Sequence, residues 1–177
     1  MPRLKLLILD ANIVILLHEF GIWPRLLERC EVYLARTVAE DEAVFFEQDG
    51  DQQPIDLSDD ISNNRVSLFD VSIPDIKRFL DQFDPVYISK LDPGETESLA
   101  FLTQSKESFL ISSGDAIVFR VLGRLNRGDQ GISLEEILNK IGLQQSKLPW
   151  SCQKTFREKY TSEGGQDMIQ GKGLKQS

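Results

Sequence analysis

Apolar residues fall in short blocks separated by polar turns, and the spacing within each block names an element. Residues 4–9 form a short apolar run that suits a strand buried on both faces of a parallel sheet. Asp10 closes it, and Asn12 is placed to cap the helix marked by Ile13, Leu16, Leu17 and Phe20. Gly21 and Pro24 interrupt that spacing, and a second short helix is expected to run to about Arg29. Residues 32–34 read as the next strand, followed by a helix from near Thr37 whose buried stripe is Val38, Phe45 and Phe46. Residues 66–71 predict a third strand and 74–83 an amphipathic helix. Asp92-Pro93-Gly94-Glu95 spells a helix start, with Asp92 as cap and Glu95 completing a capping box. A fourth strand over 109–111, a helix over 115–125 and a short helix ending at Gly142 complete the pattern.

Strand and helix thus alternate four times, with connections too long for hairpins. Parallel strands with right-handed crossovers follow, and so an α/β fold of three layers, α/β/α, around a mainly parallel sheet. The expected domain covers residues 1–143. Within it, residues 47–65 carry six acids against Arg65 alone, with Asp49-Gly50 as a turn dipeptide, and read as an acidic insertion containing a hairpin. Residues 144–177 hold six basic side chains against three acidic ones and thin in apolar residues, so a partly disordered basic extension is expected there.

Charge and composition narrow the function. The net charge is −8, which argues against a passive basic nucleic-acid binder but not against a carboxylate site that reaches phosphate through a metal ion. A single histidine, His18, excludes a multi-histidine zinc site. Cys30 and Cys152 form no C-x-x-C pair, no apolar run is long enough to span a bilayer, and the first residues show no apolar stretch with a small-residue cleavage site, so export is not expected. A cytoplasmic protein with no membrane contact is expected.

In open α/β sheets the functional crevice lies beyond the carboxyl ends of the strands. Asp10 follows the first strand and Asp115 the fourth, so both face that crevice, although either could serve only its helix terminus. On the helix after the second strand, Glu42 falls inside the apolar stripe, Asp41 at its edge and Glu40 opposite. Glu95 and Glu97 lie about 200° apart on their helix. The capping box accounts for Glu95, so Glu97 is the expected ligand. Ser112 and Ser113 read as turn and cap residues, with no histidine or lysine at hand to activate a nucleophile. His18 reads as a helix-surface residue. Trp23 and Trp150 suit core packing more than base stacking. Arg120, Arg124, Arg127 and the basic extension are the cations available to a nucleic-acid backbone.

Together these segments resemble the PIN-domain family. An apolar strand ending Leu9-Asp10-Ala11-Asn12-Ile13 is similar to the opening of PIN domains, and residues 37–43 resemble their second acidic helix. Residues 94–100 resemble the third acidic segment and 110–115 the last strand with its acid. The resemblance covers roughly residues 4–143, in order and spacing. It implies a three-layer sandwich and Mg²⁺- or Mn²⁺-dependent cleavage of RNA, or of structured DNA. By position it makes Asp10, Glu42, Glu97 and Asp115 metal ligands and catalytic residues, with Asn12, Glu95 and Ser113 in support. It further implies a homo-oligomer and, as in toxin–antitoxin pairs, an antitoxin protein as partner. Two departures stand out: Gly114-Asp115 occupies the place of two adjacent acids, and the acidic insertion lengthens the second helical region.

Two other classes compete. One is a PIN-type binding module, weakly active or inactive, held by a protein partner. The other is a phosphoacceptor receiver or an aspartate-nucleophile phosphatase. A receiver needs paired acids after the first strand, and such a phosphatase needs a second aspartate where Asn12 stands.

Overall fold

The computed structural model describes residues 2–175; Met1, Gln176 and Ser177, at the ends of the expected domain and extension, lie outside them. In chain order the elements begin β1 (Leu4–Ile8), α1 (Ala11–Glu19), α2 (Trp23–Arg29) and β2 (Cys30–Ala35), then a single π-helical turn (Val38–Glu42). A hairpin of β3 (Phe45–Gln48) and β4 (Asp51–Pro54) follows, then α3 (Ser58–Ser62), β5 (Val66–Phe69), α4 (Ile73–Leu80) and α5 (Pro93–Gln104). The remainder comprises β6 (Leu110–Ser112), α6 (Ala116–Arg124), α7 (Leu134–Ile141) and α8 (Lys154–Ile169).

Four strands form one all-parallel sheet in the order β5-β2-β1-β6, flanked by helices as a three-layer α/β/α sandwich. Leu6 of β1 lies between Val32 of β2 and Leu110 of β6, and Val32 faces Val66 of β5. Residues 6–9 are each at most 1% exposed, which is why this block carries no polar alternation. Beside the sheet, Phe69 stacks on Phe101 of α5 at 4.0 Å, and Tyr33 meets Phe109 edge-on at 4.9 Å. From β1 the chain winds outward through β2 to β5, then returns across β1 to lay β6 on the other side. Its direction therefore reverses at the gap between β1 and β6, the topological switch point where such sheets place their ligands. Among the described residues no helix is long and apolar enough to cross a membrane.

Local expectations fail where tertiary contacts compete with them. The expected helix from Thr37 is one π-helical turn, because the chain leaves it at Ala43 and enters the hairpin. Phe45 is consequently half-exposed instead of lying on a buried stripe. The hairpin itself turns at Asp49-Gly50, both with positive φ, as a tight two-residue connection requires. Asp10, not Asn12, caps α1; Asn12 sits inside the helix, and its N–H donates back to the Asp10 carboxylate. Cys30 and Cys152 are buried free thiols.

The basic extension differs most from expectation. Residues 154–169 form α8, packed backbone to backbone on α6. A Cβ on Gly164 would fall 1.9 Å from the Arg120 carbonyl oxygen, and one on Gly123 2.2 Å from that of Thr161. Glycine–glycine packing carries no apolar stripe, so the helix escapes a search for periodicity. Arg157 of α8 makes a two-pronged pair with Glu136 of α7, at 2.7 and 2.9 Å. Farther on, Lys175 N–H donates to the Gln82 carbonyl, and the Tyr87 hydroxyl donates to Asp167. The cations expected to meet a nucleic acid are largely taken up by the fold. Arg124 is buried and donates to the Lys172 carbonyl, Arg120 pairs with Glu163, and Arg127 donates to the Leu102 carbonyl.

Two predictions follow from α8. Gly164→Ala should lower stability by roughly 2–3 kcal/mol, because the backbones must separate; thermal melting should show a drop of about 4–10 °C. A melt unchanged by the methyl group would mean that the two helices do not touch there. The second concerns Glu136, a carboxyl pushed up by burial but brought below its ordinary value overall by Arg157 and Ser133. A depressed folded pKa gives stability that is present above the unfolded value, about 4.3, and is lost as pH falls through the folded one. Arg157→Gln should thus cost ~1.5 kcal/mol at pH 7, with the gap to wild type closing below about pH 4 in denaturant titrations.

Candidate metal centre

Three helix starts and two strand ends meet at the switch point. Beyond β1, Asp10 adopts extended backbone as the cap of α1 and is 5% exposed. One of its carboxylate oxygens accepts the Asn12 N–H at 2.8 Å; the other accepts the Gly114 N–H at 3.1 Å, from the turn after β6. These two amides fix Asp10 and tie the ends of β1 and β6 together. Gly114 stands close because a Cβ there would lie 3.1 Å from the Asp10 carboxylate.

Beyond β6, Asp115 takes the cap position of α6 but makes no side-chain cap bond, which leaves its carboxylate free and exposed. The buried Ser113 hydroxyl accepts the Asp115 N–H at 3.0 Å and closes a turn just before the helix. The third acid comes from α5. Asp92 and Glu95 form the capping box: the Asp92 carboxylate accepts the Glu95 N–H at 2.7 Å, and Glu95 accepts the Asp92 N–H at 3.2 Å. That bond occupies Oε2 of Glu95. Oε1 has no partner, although the side chain is fully buried.

Asp10, Glu95 and Asp115 each bring one carboxylate oxygen to a common place, all within 4.8 Å of one another. Like charges at that distance in a largely dry pocket oppose ionisation. Burial, and then Asp115 beside it, push the Glu95 carboxyl well above the ordinary range. Burial also raises Asp10, with its two amides working against the shift and Asp115 adding to it. An unpartnered buried carboxylate oxygen is costly unless a proton or a cation meets it. The trio therefore can hold a metal ion, and an all-oxygen donor set suits a hard divalent cation better than zinc.

Two of the four expected ligands lie elsewhere. Glu97, chosen over Glu95 from the sequence, is not in the cluster. It points the other way round α5, where its carboxylate accepts the Thr37 hydroxyl at 2.9 Å and the Val71 N–H at 3.1 Å. Those residues follow β2 and β5, so Glu97 anchors α5 over the outer half of the sheet. Capping and cluster membership coexist in Glu95 because its two oxygens do different things. Glu42 is half-buried at the rim and accepts the Gly94 N–H at 3.2 Å, an amide left free at the start of α5. Its carboxyl is raised by burial and by Asp92, and Asp10 contributes to the shift, yet Glu42 is not one of the converging three. Gly94 makes that approach possible, since a Cβ would lie 2.6 Å from the Glu42 carboxylate. Asp41 is exposed.

Sequence reasoning missed the wall opposite α1. A groove of about 330 Å³ runs from Asp10 along Asn12, Ile13, Leu16 and Glu19, bounded by Gly114 and by Pro149, Ser151 and Cys152. Hollows of about 450 and 630 Å³ near α8 and the 84–91 turn are lined by no member of the trio. His18 is structural: its Nδ1 lies 2.8 Å from the Val14 carbonyl oxygen, and its ring stacks on the buried Trp23. Compared with family models, curated proteins and solved structures, the chain matches none.

Melting in chelator and in millimolar Mn²⁺ separates the two glutamates. In chelator at pH 8, Glu95→Gln should melt at least as high as wild type, because a crowded carboxyl is removed while an amide oxygen still accepts the Asp92 N–H. Glu97→Ala should cost about 2 kcal/mol by leaving the Val71 N–H without its acceptor. Added Mn²⁺ at 100 times its Kd should return about 2.7 kcal/mol to wild type and to Glu97→Ala, and far less to Glu95→Gln. The reverse pattern would place the ion at Glu97.

Proposed function

We propose that this chain is a Mg²⁺- or Mn²⁺-dependent nuclease of the PIN type, acting on RNA phosphodiester bonds. The observation that carries the reading is the grouping of buried Glu95, one of whose oxygens has no hydrogen-bond partner, with Asp10 and Asp115 at the switch point of a parallel sheet. The order of acids after β1, in α5 and after β6 supports it, as does the all-carboxylate donor set. A bound divalent ion would supply a water of lowered pKa and offset charge gathering on the phosphoryl oxygens.

The protein's own groups set the geometry. Asp10, clamped by two amides, and Glu95, held through the Asp92 N–H, are rigid acceptors. Asp115 is the exposed member of the three and so the one open to a substrate. The starts of α1 and α6 add the positive ends of their dipoles, which favour a phosphate there. Glu42 on Gly94 and Glu97 on Val71 hold α5, and so Glu95, in register. They are positioning residues in this scheme.

One observation favours the rival reading of a PIN-type binding module without turnover: three carboxylates converge rather than four. Turnover assays decide between them. With labelled single-stranded RNA, the full chain should cleave in Mn²⁺ or Mg²⁺ and stop in chelator. Asp10→Asn, Glu95→Gln and Asp115→Asn should each slow cleavage at least tenfold, about 1.4 kcal/mol of barrier. Glu97→Ala, which acts only by loosening α5, should slow cleavage less than any of these three. Metal-dependent stabilisation without any cleavage would select the binding module, and normal turnover by Glu95→Gln would sink the nuclease reading.

A further inference from the structure

Cations gather on one wall beside the acidic centre. The groove at Asp10 is not that wall, since its charged lining is Asp10 and Glu19 alone. The hollow of about 450 Å³ between the 84–91 turn, α6 and the end of α8 is lined by Lys90, Arg120 and Lys172. An adjoining hollow of about 630 Å³ shares Tyr87 and Lys172 with it and adds Lys175. Among the described residues, ion pairs take up Lys5, Lys77 and Lys154, but none of these three lysines, all of which are exposed. Three acids share the walls, and each is already engaged. Glu163 pairs with Arg120, Asp167 accepts the Tyr87 hydroxyl at 2.9 Å, and Asp84 accepts the Val86 N–H at 2.9 Å. The buried Arg124 guanidinium adds its charge from behind, because it donates to the Lys172 carbonyl and not to an acid. Five cations stand against three acids here, in a chain whose net charge is −8. Such a local reversal of sign attracts a polyanion.

Position ties this wall to the acids. Lys90 stands two residues before Asp92, which caps α5 together with Glu95. On the facing side, Ile117 stands two residues after Asp115. Two residues of chain span at most about 7 Å, so the hollow begins next to the metal centre. What it offers is charge and amide donors from Gln166 and Gln170. It offers no open aromatic face, because Gly173 lies against the Tyr87 ring, where a Cβ would stand 2.9 Å from a ring carbon. Contacts of this kind hold phosphates and do not read bases. We propose that a single-stranded RNA backbone lies along the hollow between the 84–91 turn and the end of α8, with Lys90 and Lys172 on its phosphates. This rests on the nuclease reading for the polymer concerned and names the face by which the strand reaches Asp115. Lys90 and Lys172 are positioning residues, since they do not touch the reacting atoms.

The test measures binding to the full chain in Ca²⁺, by fluorescence anisotropy over a range of salt concentrations. The probes are a short single-stranded RNA and a polymer of equal charge and length lacking its bases, with inorganic phosphate as competitor. Both polymers should bind alike. Lys90→Glu and Lys172→Glu should each weaken both by about tenfold at low salt and reduce the salt slope by about 1. Lys106→Glu makes the same change of net charge in the loop before β6, at the opposite end of the strands, and should leave both affinities within about twofold. All three lysines are exposed, so equal melting temperatures are expected. Losses at Lys90 and Lys172 no larger than that at Lys106 overturn the proposal even where RNA is cleaved, and so does RNA that fails to bind at low salt. A large preference for RNA over the abasic polymer overturns it as well, because these walls offer no base contact. Displacement of RNA by inorganic phosphate at an equal concentration of phosphate groups would make the hollow a small-anion site instead. Losses confined to Lys90 and Lys172 in a protein that never cleaves RNA support the face and remove the nuclease reading.

Discussion

The crowding of carboxylates at the gap between β1 and β6 is the interaction on which the rest depends. Asp10, Glu95 and Asp115 come from three distant segments, and burial together with Asp115 keeps Glu95 protonated well above the ordinary carboxylate range. The fold supplies partial compensation from the backbone. Two amides hold Asp10, one holds Glu95, and each acid sits in or beside the first turn of a helix whose dipole favours negative charge. What is left over is one buried oxygen without a partner. A structure that assembles this arrangement with two of the three acids buried can hold a cation there.

Helix α5 is the part that makes the assembly rigid. Its first turn is bound from several sides: Asp92 and Glu95 to each other, Glu42 to Gly94, and Glu97 to Thr37 and Val71. The two halves of the sheet are thereby connected through one helix. Glu95 reaches the β1–β6 pair and Glu97 the β2–β5 pair, because residues two apart project nearly opposite ways. The aromatic stack of Phe69 on Phe101 fixes the same helix farther along its length.

Charge is distributed unequally around the centre. The hairpin carries Glu47, Asp49 and Asp51 without an ion pair, whereas the start of α8 carries Lys154, Arg157 and Lys159. An approaching polyanion would meet repulsion on one flank and attraction on the other. The arginines that look free in the sequence do not contribute to this field as expected, since Arg120, Arg124 and Arg127 are committed to internal partners.

The order of the strands' apolar blocks, the Asp92–Glu95 capping box, the Asp49-Gly50 turn and the αL cap at Gly142 were all legible, because each depends on a few neighbouring residues. The parallel sheet and its three layers followed from connection lengths. Placing Asp10 and Asp115 at the crevice needed only the rule that functional residues follow the strands. Glu95, set aside for Glu97 because of its capping role, is the one grouped with Asp10 and Asp115, since a carboxylate has two oxygens. The helical reading of 37–46 failed because hairpin pairing overrode a local stripe, and the extension was misread because α8 packs through Gly123 and Gly164, which leave no hydrophobic period. By itself, then, the sequence determined what short-range sterics, caps and burial period dictate. Which acids converge on Asp10, and that Pro149, Ser151 and Cys152 wall the groove beside it, were decided only by long-range packing, in which residues over a hundred positions apart share one groove.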